Sequence, residues 1–410
     1  MRNKVCRMCK STQLYPFLDL GFSALSDGFL TKDNLLDGSE TFYPLNVLIC
    51  KNCGLCQLGY VVSPERMFNK NYPYDSSTTK TGREHFINMG YDVCKIFNLK
   101  SNSLIIDIGS NTGVLLSSFK SKNMKVLGIE PSDNVATIAR KNRIDTITDF
   151  FSAKLAKKVV KKYGKASVIT ATNVFAHIDN LDDFMNGAKV LLKQDGIMVI
   201  EAPYLVNLID NLEYDTIYHE HLSYLSVKPL MIFCKKHKME LFDTEMKKIH
   251  GGTMRYFIGR KGKQQISKNV TKFLKLENNK KIYSNKRLDD FAKKVEFHRA
   301  ELTNLLFKLK KSGKRIVGIS APAKGNTLLN YCRIGPETLD YITEKNPMKI
   351  GKYTPGMHIP VYSDKILLTN KPDYALVLAW NFAEEIMKNN ISYKKNNGKF
   401  IIPLPHPKII

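Results

Sequence analysis

The sequence predicts an α/β protein: two doubly wound, Rossmann-like units behind a small cysteine-clasped module at the N-terminus. Three observations carry that expectation. Residues from about 80 to 205 alternate short apolar runs with helix-length segments, and a second alternation of the same kind runs from about 315 to 402. Residues 1 to about 70 are turn-rich and hold two Cys-x-x-Cys pairs.

In the first alternation Leu104–Ile108, Lys125–Ile129, Ser167–Thr170 and Ile197–Glu201 read as short buried strands, with helices at Asn134–Lys141 and Leu181–Leu192. Residues 206–260 mix polar and aromatic side chains without a clear period, and Lys272–Lys311 reads as a long charged helical arm. The second alternation places strands at Arg315–Ile319, Leu339–Ile342, Tyr374–Leu378 and Phe400–Ile402, with a helix at Thr327–Tyr331. These readings divide the chain into a module at 1–70, a first α/β unit at 71–260, a helical link at 261–312 and a second α/β unit at 313–410.

A chain of 410 residues exceeds what one hydrophobic core sustains, which fits several units. It has no apolar run long enough to cross a bilayer and starts Met-Arg-Asn-Lys-Val-Cys, without a secretory core, so a cytoplasmic protein with no membrane span is expected. The net charge of +25 comes mostly from lysine pairs such as Lys157-Lys158, Lys161-Lys162 and Lys310-Lys311. Their spacing is that of solvated helix faces rather than one arginine-rich stripe, so no nucleic-acid partner is expected; attraction of an anionic diphosphate fits the same charge. The sequence leaves the oligomeric state open between monomer and dimer.

Cys6 and Cys9 form one pair and Cys50 and Cys53 the other. Each pair can grip one ion from a tight turn, and four thiolates close the tetrahedral shell of structural zinc, leaving no position for a substrate. Cys56 competes for a place, but Cys50-Lys51-Asn52-Cys53-Gly54 has the better knuckle, with glycine directly after the pair.

The stretch Asp107-Ile108-Gly109-Ser110-Asn111-Thr112-Gly113 leads from a strand into a helix, and small residues there let the backbone approach a ligand. Glu130 ends the next strand, where a carboxylate can accept both hydroxyls of a ribose. A nicotinamide dinucleotide would favour Gly-x-Gly-x-x-Gly, whereas Asp107 at the strand end suits a cationic sulfonium and amino-acid ligand, so S-adenosylmethionine is the preferred cofactor. Asp149 and Phe150, with Phe151, offer a carboxylate and rings for adenine, although core packing explains the phenylalanines equally well. Asn173 follows the fourth strand, where the methionine end would lie.

Tyr214, Tyr218, His219, Glu220, His221 and Tyr224 crowd into eleven residues, and Tyr72 and Tyr74 precede Ser76-Ser77. An imidazole titrating near neutrality can take a proton beside a ketone while a carboxylate orients it, and His221 is the candidate base. A second metal site at the His-x-His pair is the alternative.

Taken together these motifs resemble the sugar C-methyltransferase family, which includes the 3-C-methyltransferases of the tylosin and tetronitrose pathways. The resemblance spans nearly the whole chain: Cys6-Arg7-Met8-Cys9, Leu18 to Gly21, Cys50 to Leu58, Tyr72-Pro73-Tyr74, Arg83 to Phe86, Asp107 to Gly113, Glu130-Pro131-Ser132, Asp149 to Phe151 and Ile217 to His221. It continues through His250-Gly251-Gly252, Arg255-Tyr256, Ala323 to Asn326, Gly351 to Gly356 and Ala379-Trp380-Asn381. It implies a zinc module, a methyltransferase domain and a C-terminal Rossmann-like domain holding a nucleotide-linked deoxysugar. His221 would remove the proton beside a C4 ketone, Tyr218 and Glu220 would tune it, and His177 would sit beside the sugar. Tyr72 and Tyr74 would flank the cleft, Tyr72 on the cofactor side. Ser76, Lys324, Asn326 and Tyr353 would join Tyr74 on the substrate side, with Lys324 at the diphosphate. Thr112 stands where the family often has Asp, and His219 where some members have Asp.

An O-methyltransferase acting on a nucleotide-linked or surface-polysaccharide sugar, a nucleic-acid-binding methyltransferase and a nicotinamide-dependent sugar oxidoreductase are the competing functions at this point.

Overall fold

Mostly apolar runs such as Leu104–Ile108, where Asp107 is the one polar residue, form strands buried on both faces, and that property makes the centre of this chain a parallel sheet. The computed structural model describes residues 4–68, 72–249 and 251–410; His250 of the motif above lies outside them. Seven strands form the central sheet, in the spatial order Met239–Lys247, Thr253–Arg260, Leu192–Pro203, Ala166–Thr172, Leu104–Ile108, Lys125–Ile129, Thr146–Ile147. The last five run parallel. Leu104–Ile108 is flanked by Lys125–Ile129 on one side and Ala166–Thr172 on the other, so the winding reverses there, and a ligand crevice opens beyond the strand ends at such a point.

Residues 206–260 are more regular than their composition indicates. Helices Leu205–Asp210 and Val227–Lys236 lead into an antiparallel hairpin, Met239–Lys247 with Thr253–Arg260, whose second strand pairs with Leu192–Pro203. The second sheet has six strands around Ile316–Ile319, all parallel except Lys408–Ile409. The expected helix at Thr327–Tyr331 extends over Ala323–Cys332, and the expected strand at Leu339–Ile342 forms instead at Ile342–Glu344.

The N-terminal module is not closed in sequence. Leu14–Ala24, Phe42–Cys50 and Cys56–Leu58 make an antiparallel sheet whose fourth strand, Ser223–Tyr224, comes from the middle of the chain. The charged arm is two helices, Lys268–Asn279 and Asn285–Lys311, broken where Lys281 turns left-handed (φ 50°) and the Ser284 hydroxyl accepts the Arg287 N–H at 3.3 Å, capping the second helix. No helix among the described residues is long and apolar enough to cross a membrane.

The first of these helices does more than connect. Its Glu277 is fully buried and accepts from the Val227 and Lys228 amides (2.6 and 3.1 Å), the Tyr204 hydroxyl (2.9 Å) and the Tyr283 hydroxyl (2.5 Å). One carboxylate thus satisfies the open N-terminus of helix Val227–Lys236 and favours the negative charge placed there. Replacing Glu277 with Ala takes the acceptor from four donors, of which the Val227 amide and the Tyr204 hydroxyl are buried, so the variant is expected to lose about 3 kcal/mol, read as a lowered urea midpoint.

Candidate active site

A cavity of about 550 Å³ lies where the central sheet, the N-terminal module and the C-terminal unit meet. Its floor is the predicted loop. Gly109 has φ +68°, and a Cβ there would stand 2.3 Å from Val174 Cγ2, so both the backbone and the packing demand glycine. Asp107 accepts from the Thr170 hydroxyl at 2.6 Å, and burial pushes its carboxyl up to about 7. Glu130 has each oxygen fixed by a backbone amide, Asn111 N–H on Oε2 and Ser132 N–H on Oε1, both at 2.9 Å. Burial raises its pKa while those amides pull it back. Asn173, left-handed at φ 56°, donates its N–H to Glu201 O at 2.7 Å and borders the same space.

Residues 72–76 are strapped across the loop by contacts to their main chain. Asn111 Nδ2 donates to Tyr74 O and its Oδ1 accepts from Ser76 N–H, both at 3.0 Å. Asn134 Nδ2 reaches Tyr72 O (2.8 Å), and Asn346 Nδ2, from the C-terminal unit, reaches Pro73 O (2.7 Å). The side chains of Tyr72, Tyr74 and Ser76 remain on the cavity wall. Thr112, the departure from the family pattern, binds Asp75 Oδ1 at 3.3 Å.

Opposite the floor, His221 Nδ1 is 2.7 Å from Thr216 O. A carbonyl can only accept, so Nδ1 carries the hydrogen and Nε2 is the basic nitrogen. Burial holds this imidazole down to about 4. Its ring lies 4.0 Å from that of Tyr218 and 5.1 Å from that of His177, centroid to centroid. His177 also stacks on Phe68, its Nε2 is buried without a protein partner, and burial lowers its pKa strongly. Burial pushes the Glu220 carboxyl up to about 8. His219 faces away, toward Pro44 O (3.3 Å) and the edge of the Tyr43 ring, so the two members of the His-x-His pair point to different places.

From the C-terminal unit Lys324 joins the wall, its Nζ 4.1 Å from the centre of the Trp380 ring. Trp380 in turn donates to Asp215 at 2.6 Å. Burial lowers the Lys324 ammonium to about 8, and the charges of Asp215 and Glu213 oppose that. Phe150 is 38% exposed beside the cavity, and Phe151, which also lines it, packs edge-on against Phe184.

Four expected residues stand off the wall. Gly113 shapes the helix start, Asp149 is exposed and accepts from the Phe150 N–H, and Asn326 is buried with its Nδ2 on Ser26 O. Tyr353 pairs through its backbone with Leu30, holding the module to the C-terminal unit. Conversely, Asp27 and Lys349 line the cavity, and no spacing in the sequence signals either. The motif residues His85 and Arg255 flank buried Glu201 at 2.5 and 2.9 Å; burial works against that carboxylate, but both partners hold it low.

The sulfurs of Cys6, Cys9, Cys50 and Cys53 all lie within 4.8 Å of one another. Thiolates about 2.3 Å from a tetrahedral zinc stand about 3.8 Å apart, so the four fit that ion. Cys56 falls outside the cluster, in the sheet opposite Ile49 and Tyr224, where burial pushes its thiol up. Arg7, inside the first knuckle, donates to Leu58 O, Leu222 O and Asp179, each at 3.2 Å.

A parallel sheet with a glycine loop and two carboxylates at its reversal point, beside a four-thiolate module, defines the class of a zinc-containing methyltransferase. Residues 6–68 match the family described as "Putative zinc binding domain", 90–232 "Methyltransferase domain" and 248–405 "C-methyltransferase C-terminal domain". The C-methyltransferase NovU of Streptomyces niveus is 32% identical over 407 residues, covering 99% of this chain and 96% of the relative. The chain belongs to the sugar C-methyltransferase family and is an S-adenosylmethionine-dependent C-methyltransferase. Among solved structures, the S-adenosylmethionine-bound magnesium protoporphyrin IX methyltransferase of Synechocystis PCC 6803 gives a TM-score of 0.34 at 12% identity, over 43% of this chain and 79% of that one. A methyltransferase from Clostridium acetobutylicum gives 0.35 at 13%, over 44% and 92%.

Elemental analysis is expected to find about one zinc per chain, lost in Cys53→Ala and kept in Cys56→Ala. Acid stability follows from the imidazoles. His219 and His221 fall from 6.5 to about 4 on folding, so the unfolded chain takes up their protons first as the pH drops. The share of stability that these two imidazoles hold above 6.5 is therefore lost progressively toward 4, against the opposite slope of the buried Asp107 and Glu220 carboxyls, so His219→Gln should raise the urea midpoint at about pH 5 relative to that at about pH 7, compared with the unaltered protein.

Proposed function

We propose that the protein methylates carbon in a nucleoside-diphosphate-linked 4-keto-deoxysugar, with His221 removing the proton beside the ketone. The observation that carries this reading is the Thr216–His221 hydrogen bond, which leaves Nε2 as a neutral base on the wall shared with Asp107 and Glu130. S-adenosylmethionine, when bound, supplies an electrophilic methyl group on a cationic sulfur. Glu130 accepts the ribose hydroxyls, Asp107 faces the cationic end, Asn173 borders the methionine end, and Phe150 and Tyr72 cover the rest.

On the acceptor side His221 Nε2 takes the C–H proton, leaving the electron pair on the carbon that gains the methyl group. Tyr218 keeps the imidazole oriented by ring packing. The partnerless Nε2 of His177 supports a hydrogen bond to the sugar. Lys324, with a pKa of about 8, keeps most of its proton at neutral pH and offers a cation to the diphosphate, near Tyr74 and Ser76. A carbon acceptor needs such a base because a C–H proton does not leave unaided, and the Streptomyces relative is itself named a C-methyltransferase.

The test is mass spectrometry of products from a panel of nucleotide-linked 4-keto-sugars with labelled methyl donor: label should enter a sugar carbon, and label on oxygen would refute the reading. His221→Ala should lower turnover by about a hundredfold or more while leaving S-adenosylhomocysteine affinity unchanged. Glu130→Ala should weaken that affinity by about 10- to 100-fold, seen by calorimetry.

A further inference from the structure

Two carboxyl groups from distant parts of the chain, Asp27 and Glu220, share one buried corner of the cavity. Asp27 lies in the loop after the first strand of the module and is paired with Lys349 of the C-terminal unit at 3.2 Å. The side chains of this pair are 10% and 6% exposed, respectively. Lys349 also donates to Ala321 O at 2.8 Å and lies 4.7 Å from the centre of the Phe29 ring, so its ammonium is fixed at Asp27 from three directions. The amide and the carboxylate of Asp27 both face Glu220, whose Oε2 is buried without a partner.

Two carboxylates in a dry pocket do not both ionise, and the one holding the cation keeps the charge. The other groups around Glu220 do not alter that outcome. Tyr72, Tyr218 and Tyr224, on the strap, on its own segment and on the adjoining strand, have phenols pushed up by burial and stay neutral, as does Tyr74. His221 next to it is neutral for the reason given above.

We propose that Asp27, clamped by Lys349, is a positioning residue that fixes the single proton of the pair on Glu220, so that Glu220 meets the substrate as a hydrogen-bond donor. Burial and the Asp27 charge both raise the Glu220 pKa, and the amides of Glu220 and Asp27, then Lys349, oppose them without reversing the shift. A neutral acid beside the developing enolate oxygen stabilises charge there without reorganising. That last step rests on the 4-keto-sugar reading; the placement of the proton does not.

The test is an infrared pH titration of the zinc-loaded protein without substrate, with the Glu220 carboxyl band assigned by subtracting Glu220→Gln. A protonated band is expected at about pH 7. Asp27→Asn should lower its midpoint by about one pH unit or more, and Lys349→Met, which frees Asp27 to share the proton, should weaken the Glu220 band at about pH 7 and bring up a protonated Asp27 band beside it. Loosening of the fold would remove protonated carboxyl at neutral pH from both variants, so the new band in Lys349→Met identifies the charges as the cause. No Glu220 band at neutral pH, or a midpoint unmoved in Asp27→Asn, overturns the proposal. Failure of the sugar reading would appear separately, as absent products beside an unchanged titration.

Discussion

Exclusion of water is the constraint from which the chemistry of this cavity follows. Burial moves the groups at the heart of its wall toward the neutral form: Asp107 and Glu220 upward, His177 and His221 downward, Lys324 downward. A neutral imidazole with its tautomer fixed is a base, and a neutral carboxyl is a donor. The same desolvation strengthens whatever charge the site keeps, because fixed dipoles act harder where no solvent screens them.

Such a dry space is assembled from pieces distant in sequence. The module's sheet is completed by Ser223–Tyr224, two residues beyond His221, and Arg7 grips the intervening carbonyl of Leu222. The knuckle that Cys6 and Cys9 close therefore steadies the backbone carrying His221. From the other side Tyr353 pairs with Leu30 and Asn346 holds Pro73. A zinc ion held by the four thiolates would steady this wall of the cavity through main-chain anchoring.

What was legible in the sequence was local. Leu104–Ile108 and Lys125–Ile129 were readable to the residue because a largely buried strand is a short, mostly apolar run with sharp polar ends. Cysteine pairs read well because one ion constrains their spacing. The hairpin Met239–Lys247 with Thr253–Arg260 was not legible, since charged residues such as Glu240, Asp243 and Lys247 interrupt its alternation. Asp27 and Lys349 were beyond reach for another reason: they are separated by most of the chain, and only the tertiary fold makes them neighbours. Asn326 and Tyr353 show the converse, motif residues whose work in this fold is to tie units together.

The strap over the glycine loop is gripped by its peptide groups: the carbonyls of Tyr72, Pro73 and Tyr74 and the amide of Ser76. An anchor of that kind is indifferent to the side chains it carries. The cavity-lining side chains of Tyr72, Tyr74 and Ser76 can therefore be exchanged, in evolution or by an engineer, without untying the segment that presents them. The protein thereby separates what holds this wall in place from what gives the wall its surface.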